Sequence, residues 1–152
     1  MRDIWADIET ILIDEATLQA RIKTVAAQIE ADYAGQDDLL LICVLKGAFV
    51  FLSDISRALK RPHAIDFMGI SSYGKGTTSM GAVQIIMDLK APIENRNVLI
   101  VEDIIDSGRT LDYMRRTLLA RSPASLRICT LLSKPARREI DLGEGTGGDE
   151  SL

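Results

Sequence analysis

The chain has few of the residues that mark metal-binding, disulfide-rich or membrane proteins. Its 152 residues include only two cysteines and one histidine. Cys43 and Cys129 each lie inside an apolar run and far from each other, a pattern that predicts buried reduced thiols rather than a zinc or redox site. No apolar run approaches the roughly 20 residues of a membrane span, and residues 1–9 lack the pattern of a secretory signal. These absences predict a cytoplasmic protein.

An excess of positive charge is also missing. The chain has 18 Lys and Arg against 22 Asp and Glu, for a formal net charge of -4. Proteins that bind nucleic acids or anionic membranes usually carry a basic excess, so the composition argues against both partners. The 47% hydrophobic content is enough for one core. We expect a single domain over residues 1–142, and the glycine-rich, acidic residues 143–152 predict a disordered tail.

Short apolar runs alternate with amphipathic segments along the chain. Helical spacing of apolar residues predicts a first helix from Leu18, capped by Asp14 and ended by Gly35, and further helices over residues 48–59 and 110–121. The predicted strands are Leu39–Leu45, 64–70, Ala82–Met87, 97–101 and 126–132. This alternation predicts an α/β fold with a mainly parallel central sheet flanked by helices, in which ligands bind beyond the carboxyl ends of the strands.

A polar segment with three glycines, residues 71–81 (SSYGKGTTSMG), separates the second and third predicted strands. Loops of this length inside domains are usually either active-site covers or disordered connectors. Glycine and hydroxyl residues suit both roles. The composition alone leaves open a mobile loop over an active site and a plain linker.

The most informative stretch is residues 98–110, VLIVEDIIDSGRT. Glu102 and Asp103 follow a buried strand, and neighbouring side chains on a strand point to opposite faces. The pair therefore indicates either a solvated strand end or a chain that turns into a polar crevice, where carboxylates suit ribose hydroxyls or a hydrated Mg²⁺ ion. The following turn leads into a helix start, where amides, two hydroxyls and the flexible Gly108 can bind a phosphate. The Walker A and GxGxxG patterns are absent from this region.

The segment VEDIIDSGRT resembles the phosphoribosyl pyrophosphate motif of type I phosphoribosyltransferases, and VLIVEDIIDSG is most similar to their hypoxanthine-guanine branch. The resemblance continues through LKG at residues 45–47, SSYG at 71–74 and LLSKPARR at 131–138, over roughly nine-tenths of the chain. It implies a Mg²⁺-dependent purine salvage enzyme that joins hypoxanthine or guanine to phosphoribosyl pyrophosphate. It also implies a homo-oligomer, either a dimer or a tetramer, and a mobile loop over the site.

The resemblance assigns roles to the residues of the motif. The 5'-phosphate is expected to bind the run Asp106, Ser107, Gly108, Arg109 and Thr110. Asp106 is also the expected catalytic residue, since a carboxylate near the base can assist proton movement at the attacking ring nitrogen. The resemblance implies that Glu102 and Asp103 bind the ribose hydroxyls and the metal with its water shell.

Further roles follow from the outlying motifs. Lys46 and Gly47 are expected to form the pyrophosphate-binding turn, with a cis peptide before the lysine. The resemblance places Ser72 and Tyr73 on the loop that closes over the pyrophosphate. The purine is expected to pack against Ile104. It would accept a hydrogen bond from Lys134 at the exocyclic oxygen of position six, a contact that favours hypoxanthine or guanine over adenine.

The chain departs from the family pattern after Asp141. Family members normally continue with an aromatic residue that stacks on the purine, an aspartate that helps hold Mg²⁺ and an arginine that contacts pyrophosphate, and residues 143–152 (GEGTGGDESL) match none of these. Two alternatives therefore stay open. One is a phosphoribosyl-binding regulatory module without turnover. The acidic composition disfavours it, because such regulators usually bind RNA through a basic face. The other is a phosphoribosyltransferase for xanthine or a pyrimidine.

Overall fold

Helices flank a five-stranded sheet in the computed structural model, which describes residues 4–73 and 82–142. The strands are β1 (Leu39–Leu45), β2 (Ala64–Tyr73), β3 (Ala82–Met87), β4 (Asn97–Ile105) and β5 (Ser125–Ser133). The helices are α1 (Glu15–Asp32), α2 (Phe49–Ala58) and α3 (Arg109–Leu119), with short 3-10 turns at Ile4–Asp7 and Pro135–Arg137. The α/β prediction is confirmed.

The strand order is β3-β2-β1-β4-β5. The pairs β1–β2, β1–β4 and β4–β5 are parallel, and β3 pairs with β2 in the antiparallel direction. The chain leaves β1 to build one side of the sheet with β2 and β3, and it then returns to build the other side with β4 and β5. The β1–β4 boundary is therefore the topological switch point, where a crevice opens beyond the carboxyl ends of the strands.

Each face of the sheet has its own hydrophobic core. Leu41, Cys43, Leu99 and Val101 face α1 and α2, which contribute buried residues such as Ile29. The intervening strand residues face α3. These strand residues and their α3 partners are Leu40, Ile42, Val44, Val98, Ile100, Leu111, Met114 and Leu118. Because β1 and β4 bury side chains on both faces, they read in the sequence as continuous apolar runs.

The predicted cap of the first helix is confirmed. The Asp14 carboxylate accepts a hydrogen bond of 2.7 Å from the backbone N–H of Thr17, which satisfies one of the donors that the first helical turn leaves unpaired. The helix ends at Asp32, and Gly35 then adopts a positive φ of 72°. Gly35 therefore lies in the turn that leads to β1, where a residue without a Cβ has the least strain.

Two predicted strand ends are wrong. The second strand does not end at Ile70, since Ser71, Ser72 and Tyr73 pair with β3. The fourth does not end at Val101, because β4 pairs with β5 as far as Ile105. In both places the polar sequence indicated a turn, but ladder hydrogen bonds to a neighbouring strand keep the backbone extended. Helix α3 spans Arg109–Leu119, within two residues of its predicted ends.

The remaining sequence predictions concern the two cysteines, membrane-spanning segments, the polar loop and the C-terminal tail. Cys43 and Cys129 are buried and free, as predicted. Among the described helices, none is long and apolar enough to cross a membrane. The greater part of the predicted loop, residues 74–81, and the predicted tail, residues 143–152, lie outside the described residues.

Candidate functional site at the carboxyl ends of the strands

The turn after β1 contacts β4 across the switch point. A Cβ built on Gly47 would lie 2.9 Å from Asp103 Oδ2, so the carboxylate lies directly against the Gly47 backbone. Only a residue without a side chain fits this approach. The peptide bond between Leu45 and Lys46 is cis, as the family resemblance implied. Lys46 itself is exposed beside this turn.

Glu102 and Asp103 lie on the last part of β4 rather than in a turn, and both line one cavity. Each carboxylate accepts a hydrogen bond from the backbone N–H of the next residue, from Asp103 at 3.2 Å and from Ile104 at 2.9 Å. Neither forms an ion pair with any side chain that the structure describes. The β4 end therefore carries two adjacent acids that pair with no cation among the described residues.

The electrostatics of this pair are unusual. Burial, reinforced by the neighbouring Asp103, raises the pKa of Glu102 to about 8. Burial, with a smaller effect of the two acids, also raises the pKa of the Cys43 thiol to about 11. Cys43 therefore stays a protonated thiol at neutral pH, which is consistent with a packing role. A cation or a hydrogen-bond donor entering the cavity would offset the cost of ionising Glu102.

The turn between β4 and α3 shapes the rest of the cavity. Gly108 has a φ of 87° and precedes the first residue of α3 without any side-chain cap. The cavity, of about 280 Å³, is lined by residues 102–108 with Thr110 and Leu111. It therefore joins the two carboxylates to a helix N-terminus, where backbone amides and the positive end of the helix dipole favour an anion.

The segment after β5 packs against the outside of this turn. The backbone N–H of Lys134 donates to Ile105 O at 2.8 Å, and those of Glu139 and Ile140 donate to Ser107 O at 3.0 and 3.3 Å. Arg138 Nε donates to the Asp106 carbonyl at 3.3 Å. This segment thus donates hydrogen bonds to three successive carbonyls of the turn, those of Ile105, Asp106 and Ser107.

Two arginines near the cavity rim are engaged by acids. The Arg109 guanidinium donates through Nε to Glu139 Oε2 at 2.6 Å. Arg109 is not among the cavity-lining residues, and its backbone N–H donates to Ser107 Oγ at 3.4 Å. Arg137 Nε lies 3.0 Å from Asp106 Oδ1, a charge contact rather than an aligned hydrogen bond. Asp106 keeps a half-exposed side chain on the cavity side.

The predicted purine-binding residues lie at the carboxyl ends of neighbouring strands. Ile104 lines the cavity and pairs with Leu132 of β5. Lys134 follows the end of β5 and is exposed, and its backbone is held to the end of β4. The structure thus brings both residues to the same edge of the sheet.

The predicted pyrophosphate-binding residues of the second strand lie elsewhere than expected. Ser72 and Tyr73 are in β2, paired with Val83 and Ala82, and not on a loop. Sequence reasoning gave no role to Arg138 and Glu139, the residues that hold the turn. The available signal was the pair of arginines that ends LLSKPARR. This pair belongs to a family motif, but the motif does not indicate which residues the arginines contact.

The fold and the site define the class of protein. The chain belongs to the phosphoribosyl transferase domain family, whose pattern matches residues 9–148.

Within that family, the chain is similar to hypoxanthine and hypoxanthine-guanine phosphoribosyltransferases. It is 50% identical over 135 residues to the hypoxanthine-guanine phosphoribosyltransferase of Mycobacterium tuberculosis (strain H37Rv), a match that covers 85% of this chain and 66% of that protein. It is 45% identical over 133 residues to the hypoxanthine phosphoribosyltransferase of Escherichia coli (strain K12), with 87% and 75% covered. The crystal structure of a Staphylococcus aureus hypoxanthine phosphoribosyltransferase has a TM-score of 0.85 at 41% identity and covers 94% of this chain and 78% of that one. The match thus spans slightly less than two thirds of the mycobacterial relative.

Proposed function

We propose that the protein is a purine salvage phosphoribosyltransferase that converts hypoxanthine, and also guanine, with phosphoribosyl pyrophosphate into the nucleoside monophosphate and pyrophosphate. The observation that carries this proposal is the cavity at the end of β4, in which an acid pair adjoins a glycine-containing helix N-terminus. A sugar with hydroxyls at one end and a phosphate at the other matches that order of groups. The two relatives described above are named hypoxanthine-guanine and hypoxanthine phosphoribosyltransferase, and both names describe this reaction.

In this proposal the sugar phosphate lies along the β4 end. The amides of residues 106–110, with the hydroxyls of Ser107 and Thr110, hold the 5'-phosphate. Glu102 and Asp103 accept hydrogen bonds from the ribose hydroxyls. Lys46 and the Gly47 backbone, in contact with Asp103, hold the pyrophosphate. The roles of Ser72 and Tyr73 at the pyrophosphate remain a prediction.

The reaction would form a bond between a purine ring nitrogen and the anomeric carbon and break the bond between that carbon and pyrophosphate. The ring nitrogen loses its proton, and Asp106 would receive it. Ile104 packs against the purine, and Lys134 donates to its exocyclic oxygen. Charge placement around the leaving group would supply most of the rate enhancement, since the transition state separates charge.

A divalent ion fits the acid pair. Mg²⁺ is usually held by one or two carboxylates together with waters and substrate phosphates, and the described residues contain no larger cluster of metal-ligating side chains. The raised pKa of Glu102 fits the same reading, because a partly buried carboxyl that forms no ion pair with a described side chain gains most from a nearby cation. When bound, Mg²⁺ would neutralise developing charge on the pyrophosphate. Glu102 and Asp103 are the residues that would hold its water shell.

We also propose that the protein forms a homo-oligomer, a dimer or a tetramer. Support comes from apolar side chains that one copy leaves exposed: Ile65 and Phe67 of β2 are 42% and 37% exposed, and Ile86 of β3 is 67% exposed. Sedimentation at several concentrations tests this, and a concentration-independent monomer mass would contradict it.

Kinetic assays test the proposed activity. Purified protein with Mg²⁺ and phosphoribosyl pyrophosphate is offered hypoxanthine, guanine, xanthine, adenine and uracil, and nucleotide formation is followed by absorbance and chromatography. We expect product with hypoxanthine and guanine. Turnover of xanthine or uracil alone would change the substrate assignment. No product with any base, together with measurable binding of phosphoribosyl pyrophosphate, would instead indicate a regulatory module.

A further inference from the structure

The outer side of the turn after β4 is bound at three carbonyls in a row. Ile105 O accepts from the Lys134 backbone N–H, Asp106 O accepts from Arg138 Nε, and Ser107 O accepts from two backbone N–H groups of the same segment. All these donors lie between residues 134 and 140. The backbone of this segment thus meets the turn outside the lining of the cavity, which contains none of residues 134–140.

This arrangement fixes where the amides of the turn point. In a trans peptide the carbonyl of one residue and the N–H of the next share a plane and point in opposite directions. Binding the carbonyls of Ile105, Asp106 and Ser107 on the outside therefore directs the N–H groups of Asp106, Ser107 and Gly108 inward. Three successive amides that converge on one side form an anion-binding concavity.

Arg138 makes the one side-chain contact among those three. Its guanidinium donates to Asp106 O at 3.3 Å and, through its second terminal nitrogen, to Ser133 Oγ at 2.7 Å. Its aliphatic stem lies against Gly108, where an added Cβ would be 3.3 Å from Arg138 Cδ. Arg138 thus links the end of β5 to the middle of the turn, and its stem packs against Gly108.

We propose that Arg138 is a positioning residue for the 5'-phosphate, which it orders through the Asp106–Gly108 backbone without touching the ligand. This inference rests on the proposed function, since it assumes that residues 106–110 bind the phosphate. Without the guanidinium, the Asp106 carbonyl loses its outside partner, and the peptide that carries the Ser107 N–H is free to rotate. The affinity for the phosphate falls, while the affinity for a ligand without a phosphate is unchanged.

The test compares inosine 5'-monophosphate with inosine. Dissociation constants for both are measured by ligand-observed NMR on the wild-type chain, on Arg138→Met, which keeps the stem and removes the guanidinium, and on Arg138→Lys. Arg57→Met is the matched control, because Arg57 is an exposed arginine of α2 that pairs with Asp54. We expect Arg138→Met to weaken binding of the monophosphate roughly tenfold and binding of inosine less than twofold. Arg138→Lys should recover part of the loss, since an ammonium reaches one acceptor but lacks the fork that bridges two.

The outcomes separate the two claims. If the wild-type chain binds inosine 5'-monophosphate no better than inosine, the proposed function fails. If the wild type prefers the monophosphate and Arg138→Met keeps that preference, the inference about Arg138 is wrong. Equal weakening of both ligands also overturns it, because that result indicates general damage to the cavity. Circular dichroism establishes folding, and if Arg138→Met is unfolded, the Arg138→Lys ratio decides by the same criteria.

Discussion

Replacing Gly108 by alanine should damage both stability and phosphate binding, and Gly35→Ala separates the causes. Both glycines have positive φ, 87° and 72°, but a Cβ on Gly35 meets nothing within 4 Å. On Gly108 it would lie 3.3 Å from Arg138 Cδ and 3.3 Å from Ile140 O. The first contact can relax through a flexible side chain, whereas the second is with backbone.

The magnitudes follow from these contacts. A left-handed alanine costs about 1 to 2 kcal/mol, and the stiffer unfolded chain offsets about 0.4 to 1 kcal/mol of that cost. Gly35→Ala should therefore lose about 1 kcal/mol or less. Gly108→Ala adds crowding of roughly 1 kcal/mol against the segment behind it, for a total near 2 kcal/mol and a fall in Tm of about 5 °C. Because the crowding pushes the turn toward the cavity, its KM for phosphoribosyl pyrophosphate should rise about tenfold.

Urea unfolding gives the free energies of unfolding, and steady-state kinetics with hypoxanthine gives the KM. The Gly35→Ala chain should keep the wild-type KM, since its turn is remote from the cavity. If the two variants had the same free energy of unfolding and the same KM, the close packing of Gly108 against residues 138–142 would contribute neither to stability nor to binding. That result would refute the reasoning.

Three further predictions concern the acids and the glycine turn. Because the folded chain holds the Glu102 proton more tightly, with a pKa of about 8 against an ordinary 4.5, stability should fall as the pH rises between these values. Urea unfolding of the metal-free chain at pH 5 and pH 9 measures this fall. Between these two pH values the free energy of unfolding should decrease by roughly 2 to 4 kcal/mol more in the wild type than in Glu102→Gln. Equal decreases would contradict the raised pKa of Glu102. Asp106→Asn should slow inosine monophosphate formation by about 10²-fold or more in steady-state assays, and equal rates would exclude acid-base work by Asp106. Gly47→Ala places a Cβ 2.9 Å from Asp103 Oδ2, so its KM for phosphoribosyl pyrophosphate should rise at least about tenfold while Tm changes by only a few degrees; an unchanged KM would count against this contact.

Local signals in the sequence predicted the elements well where one physical cause dominates. The run LLLICVL predicted β1 with its observed bounds, because a strand buried on both faces needs an unbroken apolar run. Asp14 predicted the start of α1 for an equally local reason, its hydrogen bond to the Thr17 N–H. Polar residues misled the prediction at Ser71 and at Glu102, since partner strands far along the chain keep those residues extended.

The same distinction applies to the candidate site. The sequence indicated that Glu102, Asp103 and residues 106–110 lie together, because they are consecutive. The contact between Gly47 and Asp103 depends on the pairing of β1 with β4, which no local pattern encodes. The support of the turn by residues 134–140 likewise depends on hydrogen bonds between segments about 30 residues apart, so sequence reasoning missed it.

The pairing of β1 with β4, in which Cys43 lies opposite Val101, has a consequence for how the protein acquires its ligand. A slip of one residue between these strands would turn Asp103 away from Gly47 and send a charged side chain into an apolar layer. Under the proposed function, only chains with the native alignment would therefore recognise a sugar phosphate. Substrate present during renaturation should accordingly select correctly aligned molecules and raise the yield of active protein, since a ligand that binds only the native state shifts the folding equilibrium toward it.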